Sequence, residues 1–294
     1  METLKEIVVI SGKGGTGKTS LVAALASLFI DKVMVDCDVD AANLHMILSP
    51  ERIIRESAFS GGKKAAIDLA RCTGCGVCRD VCRFGAISSD FIVDQLSCEG
   101  CGACYLFCPA HAVNFSPHTA GHWYVSDTGN HARFVFAELL PGEDNSGKLV
   151  AAVRNEARVE AESMGKRLII IDGPPGIGCP VISSVTGTNL AIVVTEPTPT
   201  GVHDLERVIA LANHFRLRAA VVVNKCDINP SWLAAIKEYC DAGNHTFLGE
   251  IPYETAITEA QRAGKAIVDY NPGCDASNAI RAIHTKLQSI LEEI

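Results

Sequence analysis

The run Ile7-Val8-Val9-Ile10-Ser11-Gly12-Lys13-Gly14-Gly15-Thr16-Gly17-Lys18-Thr19 decides the fold. Four consecutive β-branched residues read as a strand buried on both faces, as in a parallel sheet. The glycine string behind it fits G-x-x-x-x-G-K-[ST]. In such a loop inward-turned N–H groups surround a phosphate chain. Lys18 brings a point charge to the β- and γ-phosphates, and the Thr19 hydroxyl is a ligand for Mg²⁺. A helix predicted over Ser20 to Ile30 would aim its positive end at the same anion. Gly12, Gly14, Gly15, Thr16, Gly17, Lys18, Thr19 and Ser20 are therefore the candidate phosphate-binding residues. A glycine turn that binds nothing is the alternative, and the strand–loop–helix context weighs against it.

Working outward, Val33-Met34-Val35 reads as a second strand, followed by Asp36-Cys37-Asp38-Val39-Asp40. Carboxylates at the C-terminal end of a strand sit at the ligand edge of an open α/β sheet. Asp40 is placed to cap the next helix. Leu168-Ile169-Ile170-Ile171 is another buried strand, and Asp172 at its end is a candidate for holding Mg²⁺ through water. Gly173-Pro174-Pro175-Gly176 follows with the composition of a turn. Ala219 to Val223 is a further strand. It ends in Asn224-Lys225-Cys226-Asp227, a string compatible with the guanine-selecting N-K-x-D motif.

Thirteen cysteines are many for 294 residues, and eight of them fall between positions 72 and 108. Cys72, Cys75, Cys78 and Cys82 follow C-x-x-C-x-x-C-x-x-x-C. Cys98, Cys101, Cys104 and Cys108 repeat it, with Pro109 after the last. This is the bacterial two-cluster ferredoxin pattern, in which the fourth cysteine serves the other cluster. It predicts two [4Fe–4S] clusters, one on Cys72, Cys75, Cys78 and Cys108, the other on Cys98, Cys101, Cys104 and Cys82. Gly74, Gly76, Gly100 and Gly102 permit the tight wrapping, and each fourth cysteine is expected to start a helix. Zinc is the alternative, but zinc sites pair two C-x-x-C knuckles. Arg83 departs from the pattern, standing where a proline is usual. Lys63, Lys64, Arg71, Arg79 and Arg83 read as a solvated basic face.

With its extra lysine, the string Ser11 to Thr19 resembles the deviant Walker A loop of the MinD/ParA/Mrp ATPases, which include the nitrogenase iron protein. The resemblance implies an ATP-dependent homodimer in which Lys13 reaches the partner's phosphates. It makes Asp36 and Asp38 the acids that orient the attacking water and help hold the Mg²⁺ shell, and Gly173-Pro174-Pro175-Gly176 a movable switch whose Gly176 N–H would meet the γ-phosphate. Lys13, Lys18, Asp36 and Asp38 are then the catalytic candidates, and Thr19, Asp38 and Asp172 the Mg²⁺ candidates. Asn224, Lys225 and Pro252 would bind the nucleotide, the last within Ile251-Pro252-Tyr253 closing over the base. These features favour ATP, while Asp227 keeps GTP open. The whole arrangement resembles MinD-superfamily P-loop ATPases with an inserted ferredoxin domain. The expected fold is α/β, a mostly parallel doubly wound P-loop sheet over residues 1–60 and 118–294. A small α+β ferredoxin-like insert with two clusters would occupy 61–117, bounded near Gly61-Gly62 and Pro117.

A net charge of −8 disfavours general nucleic-acid binding. No apolar run approaches the roughly 20 residues a membrane helix needs. Glu2 and Glu6 stand where a signal peptide would be basic, so a cytoplasmic location is expected. Ile280, Ile283, Leu287, Ile290 and Ile294 give a C-terminal helix an apolar stripe, read as packing on the sheet. Cys179 reads as a buried structural cysteine, and Cys37, Cys226, Cys240 and Cys274 as core or surface residues. His118, His122 and His131 read as structural. Three functions remain: ATP-gated electron transfer to a redox partner, an iron–sulfur or metal-cofactor carrier serving an apo-protein, and a positioning switch with redox-sensing clusters. The insert follows the Asp36/Asp38 motif directly, so nucleotide state would be felt there.

Overall fold

The computed structural model describes residues 4–128, 132–143 and 147–294; His131 lies outside them. The first elements are β1 (Lys5–Ser11), α1 (Lys18–Leu28), β2 (Val33–Asp36) and α2 (Leu44–Leu48). Two long strands, β3 (Pro50–Ile67) and β4 (Val113–Thr128), bracket the short helices α3 (Val77–Asp80) and α4 (Ala103–Phe107). Then follow β5 (Arg133–Leu139), α5 (Lys148–Met164), β6 (Leu168–Pro175), α6 (Cys179–Val185), β7 (Leu190–Thr195) and α7 (Pro199–His214). The chain ends with β8 (Arg218–Asn224), α8 (Pro230–Ala242), β9 (Thr246–Ile251), α9 (Thr255–Arg262), α10 (Ile267–Tyr270) and α11 (Asp275–Glu293). It divides into two compact units. One holds Met1–Glu56, Trp123–Ala137 and Ser146–Ile294, the other Ser57–His122 and Glu138–Asn145.

The first unit is an α/β sheet. Its strand order is β3-β4-β5-β2-β6-β1-β7-β8-β9, counting the ends of β3 and β4 that fall in it. From β5 to β9 in that row every neighbour is parallel. Helices connect these strands, as parallel pairing demands. The inner strands are apolar throughout: Ile7 to Ile10, Ile169 to Ile171 and Val221 to Val223 are all sealed from solvent. Register places Val9 and Asp36 beside Asp172, which brings strand ends and acids to one edge. Ile280, Ile283, Leu287 and Ile290 of α11 enter the same core, and Ile294 packs on it.

Two local expectations are corrected. The first helix runs Lys18–Leu28 rather than Ser20 to Ile30, because the P-loop turns straight into it and Phe29 is already extended. Gly173 to Pro175 is not a loose turn but the end of β6. A Cβ on Gly173 would lie 2.6 Å from the Ile10 side chain and 2.8 Å from the Val9 carbonyl, so the backbone is wedged against β1.

The second unit has a small core of Ala65, Cys78, Ile87, Cys104 and Val113, flanked by Phe91 and Phe115. Gly61, Gly62 and Pro117 lie inside β3 and β4. Of the basic residues, Arg71, Arg79 and Arg83 are exposed, and Lys63 lies over the Phe115 ring. Lys64 is not solvated as expected. It pairs with Glu143, which also meets His118 Nε2 at 3.1 Å, and it donates to the Gln95 carbonyl at 2.7 Å.

Lys32 precedes β2 and is 3% exposed. Among the described residues no hydrogen bond or ion pair fixes its amine. Burial, then the nearby Lys166, lowers it to about 8, with Asp269 opposing. A folded value below the unfolded one means the charged form is disfavoured by folding at neutral pH. Lys32→Met should therefore stabilise the fold by about 1–3 kcal/mol below pH 8. The gain should vanish as pH rises from 8 through lysine's ordinary value of 10.5. Denaturant unfolding at pH 7 and above pH 10.5 checks both parts.

Candidate functional site: a phosphate cradle, two buried acids and paired thiol cavities

The P-loop takes its shape from left-handed glycines, Gly15 at φ +78° and Gly17 at φ +90°. A Cβ on Gly17 would stand 2.2 Å from Asn224 Nδ2, and one on Gly12 would stand 2.3 Å from the Asp204 Cβ. The Asn224 amide donates to the Thr16 carbonyl at 2.8 Å, so β8 braces the loop. Beside it opens a cavity of about 540 Å³. Gly14, Gly15, Gly17, Lys18, Thr19 and Ser20 line one side, and Asp38, Asn224, Lys225, Pro252 and Tyr253 the others. Most of the predicted phosphate and base residues thus share one space. Gly12, Lys13, Thr16, Asp36 and Asp172 do not line it.

Asp36 and Asp172 are neighbours in register and fully buried. Asp36 accepts the N–H groups of Asp38 at 3.0 Å and Leu44 at 3.2 Å. It therefore serves the start of α2, the task expected of Asp40. That helix begins at Leu44 with Asn43 at its cap position, too far along the chain for Asp40. Neither carboxylate oxygen of Asp172 has a hydrogen bond of normal geometry, although Thr19 is near enough to favour its charged form. Burial raises Asp172 to about 7, against the pull of Lys18 and Thr19. Burial and then Asp172 push Asp36 well above the carboxylate range. Burial also raises Asp38, with Lys18 opposing. A sealed, unpartnered carboxylate next to Lys18 and Thr19 suits a hydrated divalent cation, which would supply the missing partners.

Lys13 forms an ion pair inside its own chain, 3.0 Å from Glu196. Lys225 also pairs with Glu196. The Gly176 N–H, expected to be free for a phosphate, donates to the Ser11 carbonyl at 2.8 Å. Asp227 accepts the Tyr253 N–H at 2.8 Å.

In the second unit the eight motif cysteines ring two small cavities. Cys72, Cys75, Cys78 and Cys108 line one. Cys82, Cys98, Cys101 and Cys104 line the other. Each fourth cysteine crosses to the other motif's cavity. Burial raises the Cys78 thiol, and the charges of Cys72 and Cys108 add to this. Burial raises Cys104 likewise, with Cys98, Cys101 and Cys82 adding. At Cys108 backbone N–H groups from Ala110 to Val113 outweigh burial and lower it, the Ala112 N–H at 3.3 Å. The fourth cysteines do not start helices. Gly76 and Gly102 start α3 and α4, which carry the third cysteines, and Cys82 and Cys108 follow those helices. Among the described residues no group of three or more His, Cys, Asp or Glu is placed to hold a single metal ion. Two rings of four thiols around apolar-walled cavities fit a cubane, whose four irons take one thiolate each.

Residues 7–267 match the CobQ/CobB/MinD/ParA nucleotide binding domain. The chain belongs to this family. It is 38% identical over 230 residues to an uncharacterised protein of Methanocaldococcus jannaschii, covering 77% of this chain and 80% of that protein. It is 24% identical over 284 residues to the carbon monoxide dehydrogenase accessory protein CooC of Rhodospirillum rubrum, covering 94% of each. Among solved structures, the MinD cell division protein of Aquifex aeolicus shares the fold with a TM-score of 0.58, 22% identity and 97% of each chain covered. The MinD of Pyrococcus horikoshii complexed with Mg-ADP gives 0.59 and 18%, over 99% of this chain and 100% of that one.

Within this nucleotide-binding domain Glu196 belongs to no motif, and its only sequence signal is its place after the apolar strand β7. Cys179 is exposed, not buried, because it opens α6 at the end of the exposed Ile177–Gly178 stretch. Cys37 and Cys240 are buried, and the Cys274 sulfur accepts the Ser277 N–H at 3.4 Å to cap α11. No described helix is long and apolar enough to cross a membrane.

The raised value of Asp172 has a testable sign. A carboxylate that is easier to protonate folded than unfolded stabilises at low pH. That contribution is lost as pH rises from 3.8 through about 7. In EDTA and without nucleotide, Asp172→Asn should remove up to about 1.4 kcal/mol per pH unit of downward slope over that window. The variant should be the more stable protein at pH 7.5. Urea unfolding of both proteins at pH 5 and 7.5 measures this.

Proposed function

We propose that this chain is an ATP-hydrolysing iron–sulfur protein in which ATP-dependent pairing of two chains drives electron transfer to a redox partner. The observation that carries the reading is the coexistence, in one chain, of a phosphate cradle with its acids and two crossed rings of four thiols. The second unit then acts as a ferredoxin-like insert over residues 61–117 and its flanks.

The P-loop N–H groups and Lys18 hold the β- and γ-phosphates. Thr19 and Asp172 hold Mg²⁺, Asp172 through water. Asp38, on the cavity wall, orients the attacking water, while Asp36 fixes the segment that presents it. Lys13 reaches the phosphates of a paired chain. The base lies against Asn224, Lys225 and Pro252. Adenine is favoured over guanine because the Tyr253 N–H takes Asp227 Oδ1, one of the two oxygens a guanine edge would use. The Mg-ADP complex of the Pyrococcus horikoshii MinD supports the same ligand class. Cys72, Cys75, Cys78 and Cys108 hold one [4Fe–4S] cluster, and Cys98, Cys101, Cys104 and Cys82 the other. Bound there, the clusters supply one-electron chemistry. The chain's charge and helices favour neither nucleic acid nor membrane as a partner.

A second reading, delivery of a metal cofactor to an apo-protein, draws on the similarity to CooC and on the exposed Cys179 beyond β6. Four protein thiols per cluster disfavour it, since fully ligated clusters are slow to leave. A positioning role, as the septum site-determining relatives' names suggest, ranks third.

Protein purified or reconstituted without oxygen should hold about eight irons per chain. Cys101→Ser should lower that to about half. Lys18→Ala should keep the iron and lose Mg-ATP binding. The decisive measurement is the EPR spectrum and the rate of viologen reduction, with and without Mg-ATP. ATP-dependent changes in both are expected. Identical spectra and rates would reject the coupling, and stoichiometric iron transfer to an apo-acceptor would favour delivery instead.

A further inference from the structure

Glu196 follows the last residue of β7, at the sheet edge that carries the P-loop. Its side chain is 10% exposed, and its two oxygens are divided between two cations. Oε2 lies 3.0 Å from Lys13 Nζ. Oε1 accepts from Lys225 Nζ, which also reaches the Gly15 carbonyl at 3.4 Å. Burial alone would raise Glu196. The hydrogen bonds from Lys225 and Lys13 outweigh it and hold the carboxyl below its ordinary range. The loop end of the pair is fixed as well, since Ser11 Oγ donates to the Lys13 carbonyl at 2.6 Å. Lys225 stands at φ +53°, a left-handed conformation that a lysine rarely adopts.

We propose that Glu196 is a latch: it keeps Lys13 inside its own chain until the phosphates of a bound nucleotide draw Lys13 away as two chains pair. This rests on the ATPase reading above and adds a positioning residue to it. The Lys13 side chain is 37% exposed, so its pair with Glu196 is only partly shielded from water. Such a pair is weak enough for a polyphosphate, with several charges, to displace. Lys225 makes the release tolerable. A buried carboxylate stripped of its only cation would be strongly disfavoured, and the second lysine keeps Glu196 paired after Lys13 leaves. Lys13 is then the cation that leaves and Lys225, tied also to the Gly15 carbonyl, the one that stays. Lys225 also lines the nucleotide cavity, so filling the cavity and opening the latch involve the same carboxylate.

The test compares wild type with Glu196→Gln, a near-isosteric change that removes the charge. Sedimentation velocity across a Mg-ATP titration gives the half-saturating ATP for pairing, and amine-reactive labelling read by mass spectrometry gives the reactivity of Lys13 without nucleotide. Glu196→Gln should pair at about fivefold lower ATP, and Lys13 should label faster while Lys18 does not change. An unchanged or higher ATP requirement, or unchanged Lys13 labelling, would overturn the latch. A variant that unfolds at lower temperature and labels faster at every lysine would show a structural role, and also overturn it. Wild type that binds Mg-ATP and pairs, beside a variant identical to it, rejects the latch alone. Wild type that binds no nucleotide rejects the ATPase reading and the latch with it.

Discussion

Asp172 is sealed where β6 runs between β1 and β2, with neither oxygen hydrogen-bonded and Asp36 beside it in register. Two carboxylates in that position oppose folding when charged. They are tolerated because the strands holding them are otherwise apolar and fully buried, and because Lys18 lies within electrostatic reach. The acid edge is thus built from buried carboxylates, and the protein itself leaves both oxygens of Asp172 without hydrogen bonds. Mg²⁺ with a polyphosphate would satisfy the orphaned oxygens, so ligand binding and fold stability are linked through one residue. The raised Asp172 is the cost of that preorganisation, and it is why the acid edge of the sheet, rather than the loop alone, sets the chemistry.

The second unit shows the same logic with different atoms. Its core contains few large apolar side chains, and two of the five buried residues are the cysteines Cys78 and Cys104. A core of that size gives little stability by itself, and small domains of this kind use metals or disulfides as staples. On the proposed reading the thiols are both ligands and core, so cluster loading and folding of this unit are one equilibrium. The turn of N–H groups that lowers Cys108 favours thiolate there before any iron arrives.

The features legible in the sequence were the contiguous ones. A P-loop is eight residues in a row, and its strand, loop and helix are dictated by glycines and by β-branched runs. The cysteine spacing was equally local, and the crossed grouping of cavities follows it. What escaped depends on distant pairs. Asp40 had the residue type of a helix cap, but Asp36, folded back onto the Leu44 N–H, took the task. Gly173 to Pro175 had turn composition, yet close packing on β1 makes them strand. The fourth cysteines were assigned to helix starts, but left-handed Gly76 and Gly102 start the helices four residues or more earlier. Cys179 has no periodic pattern around it to reveal its exposure.

The three contacts that organise the nucleotide edge all join positions remote in sequence. Asn224 braces the Thr16 carbonyl, Asp227 holds the Tyr253 N–H, and Glu196 gathers Lys13 and Lys225. Each uses a side chain at or just beyond a strand end on the β7–β8 side of the sheet, opposite the acids contributed by β2 and β6. The loop is therefore held from one side by neutral and paired groups that keep its shape. On the other side it faces the buried acids Asp36 and Asp172, which Lys18 offsets only in part. A ligand that carries both negative phosphates and a positive metal answers both sides at once, and neither component alone does so. That asymmetry makes Mg-nucleotide, rather than free nucleotide or free metal, the species to which this edge is complementary.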